Sequence, residues 1–220
     1  MSENFQKFVT TPAVTRAQIH YFGRARIPSS PGSWADNGLS EAEPHDFLTS
    51  EEIEFISRRD SFYMASVTEN GWPYVQHRGG QPGFLRVLSP SQLAFADYKG
   101  NRQMLSTGNL AANDRVALFL MDYPERNRLK ILGHARIKDA REHPELVSQL
   151  AEKEAQPIVE RFFIIDVVAF DWNCSKYITP RYTAEELARA VAPLKERIVE
   201  LEARVKACAG QSAAIVKNDD

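Results

Sequence analysis

A chain of 220 residues with 43% hydrophobic and 25% charged side chains can bury a sizeable core, and its 27 basic and 29 acidic groups leave a net charge of -2. That balance argues against a dedicated nucleic-acid or anionic-membrane binder, which carries a basic excess, and no segment approaches the roughly 18 apolar residues needed to span a bilayer. Cys174 and Cys208 make neither a disulfide framework nor a metal-ligand spacing, and the start Met1-Ser2-Glu3-Asn4-Phe5 is not a signal peptide, so a reducing, cytoplasmic setting is expected.

In chain order, residues 1–46 read as an irregular arm: scattered apolar positions (Phe5, Phe8, Tyr21, Phe22, Trp34) lie on either side of a breaker cluster at 28–33. Such an arm is too apolar to be simply disordered and should pack over something, a second subunit included. Thr49-Ser50-Glu51-Glu52 fits a capping box and predicts a helix ending near Arg59 or Asp60, with Ile53 and Ile56 inward. Residues 62–68 and 73–78 are rich in aromatic and β-branched types around Asn70-Gly71, a strong hairpin signal. Gly79-Gly80-Gln81-Pro82-Gly83 then breaks regularity, which lets the backbone bulge or lie close to a flat ligand.

A second hairpin is expected from 84–88 and 93–97, followed by the turn Gly100-Asn101-Arg102-Gln103 and a helix from Asn101 towards Leu110. Strands follow at 115–121 and 128–137, then a helix at 143–154 with Pro144 in its first turn. The nearly continuous apolar run 162–170 suits a strand buried on both faces or crossing a subunit interface. This gives about six strands joined mostly by hairpins. The architecture is mainly β with flanking helices, an antiparallel sheet closing into a barrel rather than a doubly wound parallel sheet.

Beyond 182 the character changes. Thr183-Ala184-Glu185-Glu186 is another capping box, and Leu187, Val191, Leu194, Ile198, Leu201 and Val205 alternate by four and three, the spacing of a coiled-coil seam. Packing on its own barrel fits the stripe equally well. Pro193 predicts a kink or restart. The expected organisation is an arm at 1–46, a barrel domain at 47–182, an amphipathic helix at 183–209 and a disordered tail at 210–220.

Few residues carry obvious chemistry. His20, His45, His77, His134 and His143 show no zinc spacing, and no nucleophile elbow, Walker loop or dinucleotide fingerprint is present. Cys174, beside Lys176, reads as an inert cysteine, and no metal site or catalytic residue is assigned. What remains is cationic: Arg78 and Arg86 flank the glycine break, and Arg102 opens the following helix. A strand feeding a glycine and a helix start can present free N–H groups to an anion, with arginine as the bidentate grip. The same pattern would also serve as an ordinary surface turn, and both readings stay open.

The segment 47–137 nevertheless resembles the flavin-binding split-barrel proteins of the pyridoxamine 5′-phosphate oxidase-like superfamily, in particular their FMN-binding "oxidase-related" branch. The match is carried by Arg59-Asp60-Ser61-Phe62-Tyr63, by Gly71-Trp72-Pro73-Tyr74-Val75-Gln76-His77-Arg78-Gly79-Gly80 with Pro82-Gly83-Phe84-Leu85, and by Tyr98-Lys99-Gly100-Asn101-Arg102-Gln103. It continues through Ser106-Thr107-Gly108-Asn109-Leu110 and Asn113-Asp114-Arg115-Val116-Ala117-Leu118. The resemblance implies a six-stranded antiparallel split β-barrel and a homodimer with FMN at its interface. It implies phosphate contacts from Arg86, Asn101, Arg102 and Gln103, and places Ala96 and Asp97 beside the flavin and ribityl chain. Gly79, Gly80, Gln81 and Phe84 would lie along the isoalloxazine, and Arg128 would reach the flavin from the second subunit. Arg78 belongs to the same cofactor-binding set.

The chain departs from the true oxidases. Their C-terminal tryptophan and Arg-x-His substrate signature is missing, and Cys174-x-x-x-Ile178-x-x-Arg181 resembles the branch's own tail motif. The leading expectation is an FMN-dependent oxidoreductase moving electrons between NAD(P)H and a small acceptor. A non-catalytic flavin-binding or flavin-sensing protein, a pyridoxamine-phosphate-type amine oxidase and, more remotely, a haem-binding relative stand beside it.

Overall fold

The computed structural model describes residues 3–25, 45–151, 156, 158–172 and 175–216. The chain divides into two units, Met1–Ile178 and Thr179–Asp220. Among the described residues seven strands, one for each strand segment read from the sequence and one more than the six-stranded total expected, form a single antiparallel sheet: β1 (Ser61–Val67), β2 (Pro73–Gly79), β3 (Arg86–Ser89), β4 (Gln92–Tyr98), β5 (Arg115–Asp122), β6 (Asn127–Asp139) and β7 (Val159–Trp172). The order is β2-β1-β5-β6-β7-β4-β3, so β2 and the four-residue β3 are the two edges and the sheet stays open between them. This is the split form of the expected barrel.

The core follows from strand alternation. Phe62, Met64, Leu93, Phe95, Leu118, Leu120, Leu129, Ile131, Phe163, Ile165 and Val167 converge in one cluster. Phe95 and Phe163 stack at 4.8 Å with their planes 6° apart. The fully buried phenylalanines each contribute roughly 1.5–3 kcal/mol. Strand β7 is buried on both faces, as its apolar run demands. Its alternate residues Phe162 and Ile164 join a second cluster with Leu150, at the end of α5 (Pro144–Leu150). Helix α5 stops before the expected boundary at 154, which itself lies outside the described residues.

Helix α3 (Ser50–Ser57) carries the capping box as read. The Thr49 backbone N–H donates to Glu52 Oε2 at 2.9 Å, and the Glu51 N–H donates to Thr49 Oγ1 at 3.3 Å. Glu52 is itself buried and accepts a 2.7 Å hydrogen bond from the Trp172 indole, which ties α3 to the end of β7. Arg59, just past the helix, pairs with Asp122 at 2.7 Å and donates to the Met121 carbonyl at 3.0 Å.

Residues 3–25 are not an irregular arm. They form α1 (Glu3–Val9) and α2 (Pro12–Phe22), the second with Thr11 as N-cap, Pro12 in its first turn and Gly23 as a left-handed C-cap at φ 71°. Phe5 is buried against Val168 and Ala169 of the chain's own barrel, with Lys130 Nζ 4.6 Å over its ring. Two helices this short leave too few turns for an apolar period to stand out. The breaker cluster at 28–33 and Trp34 lie outside the described residues.

The second unit holds α6 (Ala184–Val216), which begins with the Thr183–Glu186 capping box. It runs through Pro193 without interruption and extends past Gly210, where a disordered tail is expected to begin. Residues 211–216 contain no proline or glycine to stop it.

Burial raises the Glu52 pKa, but the hydrogen bonds from Thr49 and Trp172 outweigh it and hold the carboxyl below its ordinary range. A depressed folded pKa stabilises above the unfolded value and loses that contribution as pH falls through the folded one. Glu52→Gln should therefore cost about 1–3 kcal/mol at neutral pH in urea unfolding. The gap to the wild-type protein should narrow as pH drops below about 4; a gap independent of pH would contradict the assignment.

Candidate functional site

At one end of the open seam, side chains join strands that the backbone does not. Asp97 of β4 accepts from Arg78 of β2 at 2.7 Å through one oxygen, and from Arg161 of β7 at 2.7 Å through the other. All three side chains are less than one-fifth exposed. The Arg78 guanidinium also lies 4.9 Å from the Phe163 ring centre and 5.5 Å from that of Phe95, a cation resting on the core's aromatic stack. Burial pulls the Arg78 pKa down and Asp97 opposes that pull; arginine stays charged regardless. The β4–β7 register shifts between Asp97 and Tyr98. An irregularity there re-aims side chains, and the consecutive residues Glu160 and Arg161 both reach the same cleft.

Across that cleft stands α4 (Leu105–Ala112). It begins four residues later than Asn101, because 101–104 is consumed by an irregular loop. Asn101 Oδ1 accepts from the Gln103 N–H at 3.1 Å, and Arg102 and Met104 sit in the left-handed region at φ 57° and 58°. Such a conformation costs roughly 1–2 kcal/mol for a residue with a Cβ and clusters at ligand-binding sites. Met104, the N-cap, offers no side-chain cap, and the first turn holds no acidic residue. The amides of Leu105, Ser106 and Thr107 are thus first-turn donors with no carbonyl one turn back. Ser106 donates to Gln76 at 2.8 Å and Asn109 to Ser66 at 2.9 Å, which moors α4 on β2 and β1.

The resulting cleft encloses about 280 Å³. Three guanidiniums (Arg78, Arg102, Arg161) face two carboxylates (Asp97, Glu160), an excess of one positive charge beside the positive end of a helix. Arg102 is the most available of the three: its side chain is 58% exposed and only 3.4 Å from Glu160 at its nearest. The chemistry on offer is recognition of an anion, a phosphate above all.

Of the residues singled out in the sequence, Arg78, Asp97, Asn101, Arg102 and Gln103 come together here. Gly100 of the same turn also lines the cleft, and the other residues assigned to the cofactor do not. Gly79 ends β2, and Gly80 and Gln81 belong to the turn after it, which packs on its own chain: a Cβ on Gly80 would lie 2.7 Å from Phe84, and Phe84 stacks on Phe62 at 5.5 Å. The glycine gap is filled by this phenylalanine. Arg86 is on edge strand β3, its guanidinium 3.9 Å from the place of a Cβ on Gly83. Ala96 points into the second core cluster, opposite to Asp97. Arg128, the second residue of β6, lies 5.3 Å over Phe119 on the outer face of the sheet. Glu160 and Arg161 were not singled out, and Gln76, Ser106 and Thr107 entered only through the family resemblance without a site role, because strand register and the start of α4 decide their position. Cys174 lies outside the described residues.

Asp97→Asn would leave two guanidiniums facing each other in a largely dry seam. It should lower unfolding stability by about 3 kcal/mol, the lower end of the scale for breaking a buried pair, since the Asp97 side chain is 17% exposed. Urea denaturation measures it, and an unchanged midpoint would refute the role of this carboxylate.

The family model described as Pyridoxamine 5′-phosphate oxidase matches residues 48–172. Among solved structures, a putative pyridoxamine 5′-phosphate oxidase from Lactobacillus delbrueckii is 22% identical with a TM-score of 0.44, the alignment covering 57% of this chain and 93% of that one. The general stress protein 26 of Bacillus anthracis gives 15%, 0.41, 56% and 91% in the same order. An FMN-binding protein from Syntrophomonas wolfei gives 9%, 0.40, 56% and 87%. No curated protein matches the sequence. With the family model matched over more than half of its length, the chain belongs to the pyridoxamine 5′-phosphate oxidase family.

Proposed function

We propose that the cleft binds FMN and that the protein is an FMN-dependent oxidoreductase working between NAD(P)H and a small acceptor. The observation that carries the reading is the uncapped N-terminus of α4 beside Arg102, inside a cleft of net positive charge. The residues present fit the group. The amides of Leu105, Ser106 and Thr107 and the Arg102 guanidinium would hold the phosphate. The Asn101 and Gln103 side chains, which line the same cleft, would meet the nearby hydroxyls of the ribityl chain. Arg78, Asp97 and Arg161 keep this wall rigid and dry rather than reaching for the ligand, since each already has an ion-pair partner. When bound, the flavin supplies the electron chemistry; the protein binds, orients and excludes water.

A homodimer completes the site in this reading. The single-chain cleft, at about 280 Å³, falls just short of the roughly 300–1,000 Å³ of small-molecule sites. The remainder of the ligand would meet a second copy. Strand β2 alternates between the two surfaces: Tyr74, Gln76 and Arg78 line the cleft, while Val75 and His77 face outward. The outer surface of β2, β1 and β5 is aromatic and open, with Tyr63 42% and Val75 59% exposed. Arg128 beside Phe119 lies on this same surface, from which it would reach the flavin of the partner.

Purified protein should be yellow and release FMN on denaturation; colourless protein that takes up no added FMN overturns the reading. NAD(P)H oxidation with common acceptors tests the catalytic half, and its absence in a yellow protein would leave flavin binding alone. Arg102→Ala should weaken FMN binding by about 1.5–3 kcal/mol, the scale of a hydrogen bond to a charged group, measured by fluorescence titration. Unchanged affinity would remove Arg102 from the anchor.

A further inference from the structure

The strongest feature outside the cleft is the stripe along α6. Its apolar residues fall into two alternating classes. Val191, Ile198 and Val205 occupy one position of the heptad and are all β-branched; Leu187, Leu194 and Leu201 occupy the other and are all leucine. With the leucines at d, the spacing of four from leucine to the next β-branched residue makes the latter a. β-Branched a positions with leucine d positions are the composition that favours two parallel strands over higher oligomers. Leu187, Leu194, Ile198, Leu201 and Val205 are between 42% and 68% exposed. A single exposed leucine needs no explanation, but a continuous row of this length marks an interaction surface.

The flanking charges select the partner and its direction. Arg197 and Arg204 occupy the g positions, and Lys195 and Glu202 the e positions. In a parallel, in-register pair each g residue faces the e residue five further on in the other chain. Arg197 then meets Glu202 of the partner subunit, twice by symmetry. Antiparallel packing sets g against g and e against e, so the repulsion between Arg197 and Arg204 cancels the attraction between Lys195 and Glu202, whereas the parallel register keeps an attraction with no like-charge pair against it. Within one chain Arg197 pairs with Glu200, an exposed i, i+3 contact that costs little to exchange. Pro193 falls at c, away from the seam, and the Thr183–Glu186 capping box starts the helix one turn before the first d leucine.

We propose that α6 pairs with α6 of a second copy of this chain as a parallel, in-register two-stranded coiled coil through Leu187, Val191, Leu194, Ile198, Leu201 and Val205. The pairing is independent of what the cleft binds.

The test uses the full-length protein with Cys174→Ala and Cys208→Ala, carrying either Leu201→Cys at a d position or Glu196→Cys at an outward f position. Under mild oxidation, Leu201→Cys should form a disulfide-linked dimer at least tenfold faster than Glu196→Cys, read on a non-reducing gel. Adding Arg197→Glu should slow that linkage, and adding Glu202→Arg to it should restore the rate. Equal, slow linkage at both positions would overturn the proposal, as expected if α6 folds onto its own barrel or meets another protein. Linkage at Leu201→Cys that the charge reversal does not slow would overturn the parallel register.

Discussion

A carboxylate shared between two arginines holds this barrel together where its backbone does not. Strands β2 and β4 lie towards opposite ends of the sheet order and have no ladder between them, so nothing in the main chain brings their faces together. Asp97 does, by taking Arg78 on one oxygen and Arg161 on the other. Buried ion pairs are costly to assemble, because desolvation consumes much of the Coulomb attraction. Here part of that cost is offset by the aromatic faces of Phe95 and Phe163 beneath Arg78. The seam is thus polar at its end and apolar just inside.

That same arrangement decides which groups are free for a ligand. Arg78 and Arg161 are committed to Asp97, and Arg161 also to Glu160. Arg102 is held loosely and sits on a loop with two left-handed residues, next to a helix start that no side chain caps. The protein keeps its rigid cations for the wall and its exposed one for the mouth. Strain in the loop from Asn101 to Met104 has no packing benefit to balance it, as Arg102 and Met104 are both exposed. A bound phosphate would provide one, through the first-turn amides that the loop leaves open.

Local signals were legible from the residues alone. Both capping boxes, at Thr49 and Thr183, read correctly, because the hydrogen bonds involved span only three residues. The hairpin at Asn70-Gly71 and the doubly buried β7 were equally plain. Features that depend on distant packing were not. Phe5 and Phe8 show no period until α1 is laid against β7. The glycines at 79–83 allowed either a bulge or a close ligand, and only packing shows that a Cβ would meet the Phe84 ring at Gly80 and the Ser57 carbonyl at Gly83. Arg161 and Glu160 lie 59 and 58 residues from Arg102 in sequence, and only the β4–β7 register, with its shift beside Asp97, brings them to the site. Arg78, Asp97 and the turn from Gly100 to Gln103 were nominated in advance among the cleft's lining residues, all from β2, β4 and the stretch after it.

If α4 and Arg102 form a phosphate anchor, the apoprotein must tell FMN from riboflavin, which shares the isoalloxazine and ribityl chain and lacks only the phosphate. Titration of the apoprotein with each, followed by quenching of flavin fluorescence, measures the contribution directly. FMN should bind at least tenfold more tightly, a difference of about 1.4 kcal/mol. Equal affinities for the two flavins would contradict the anchor.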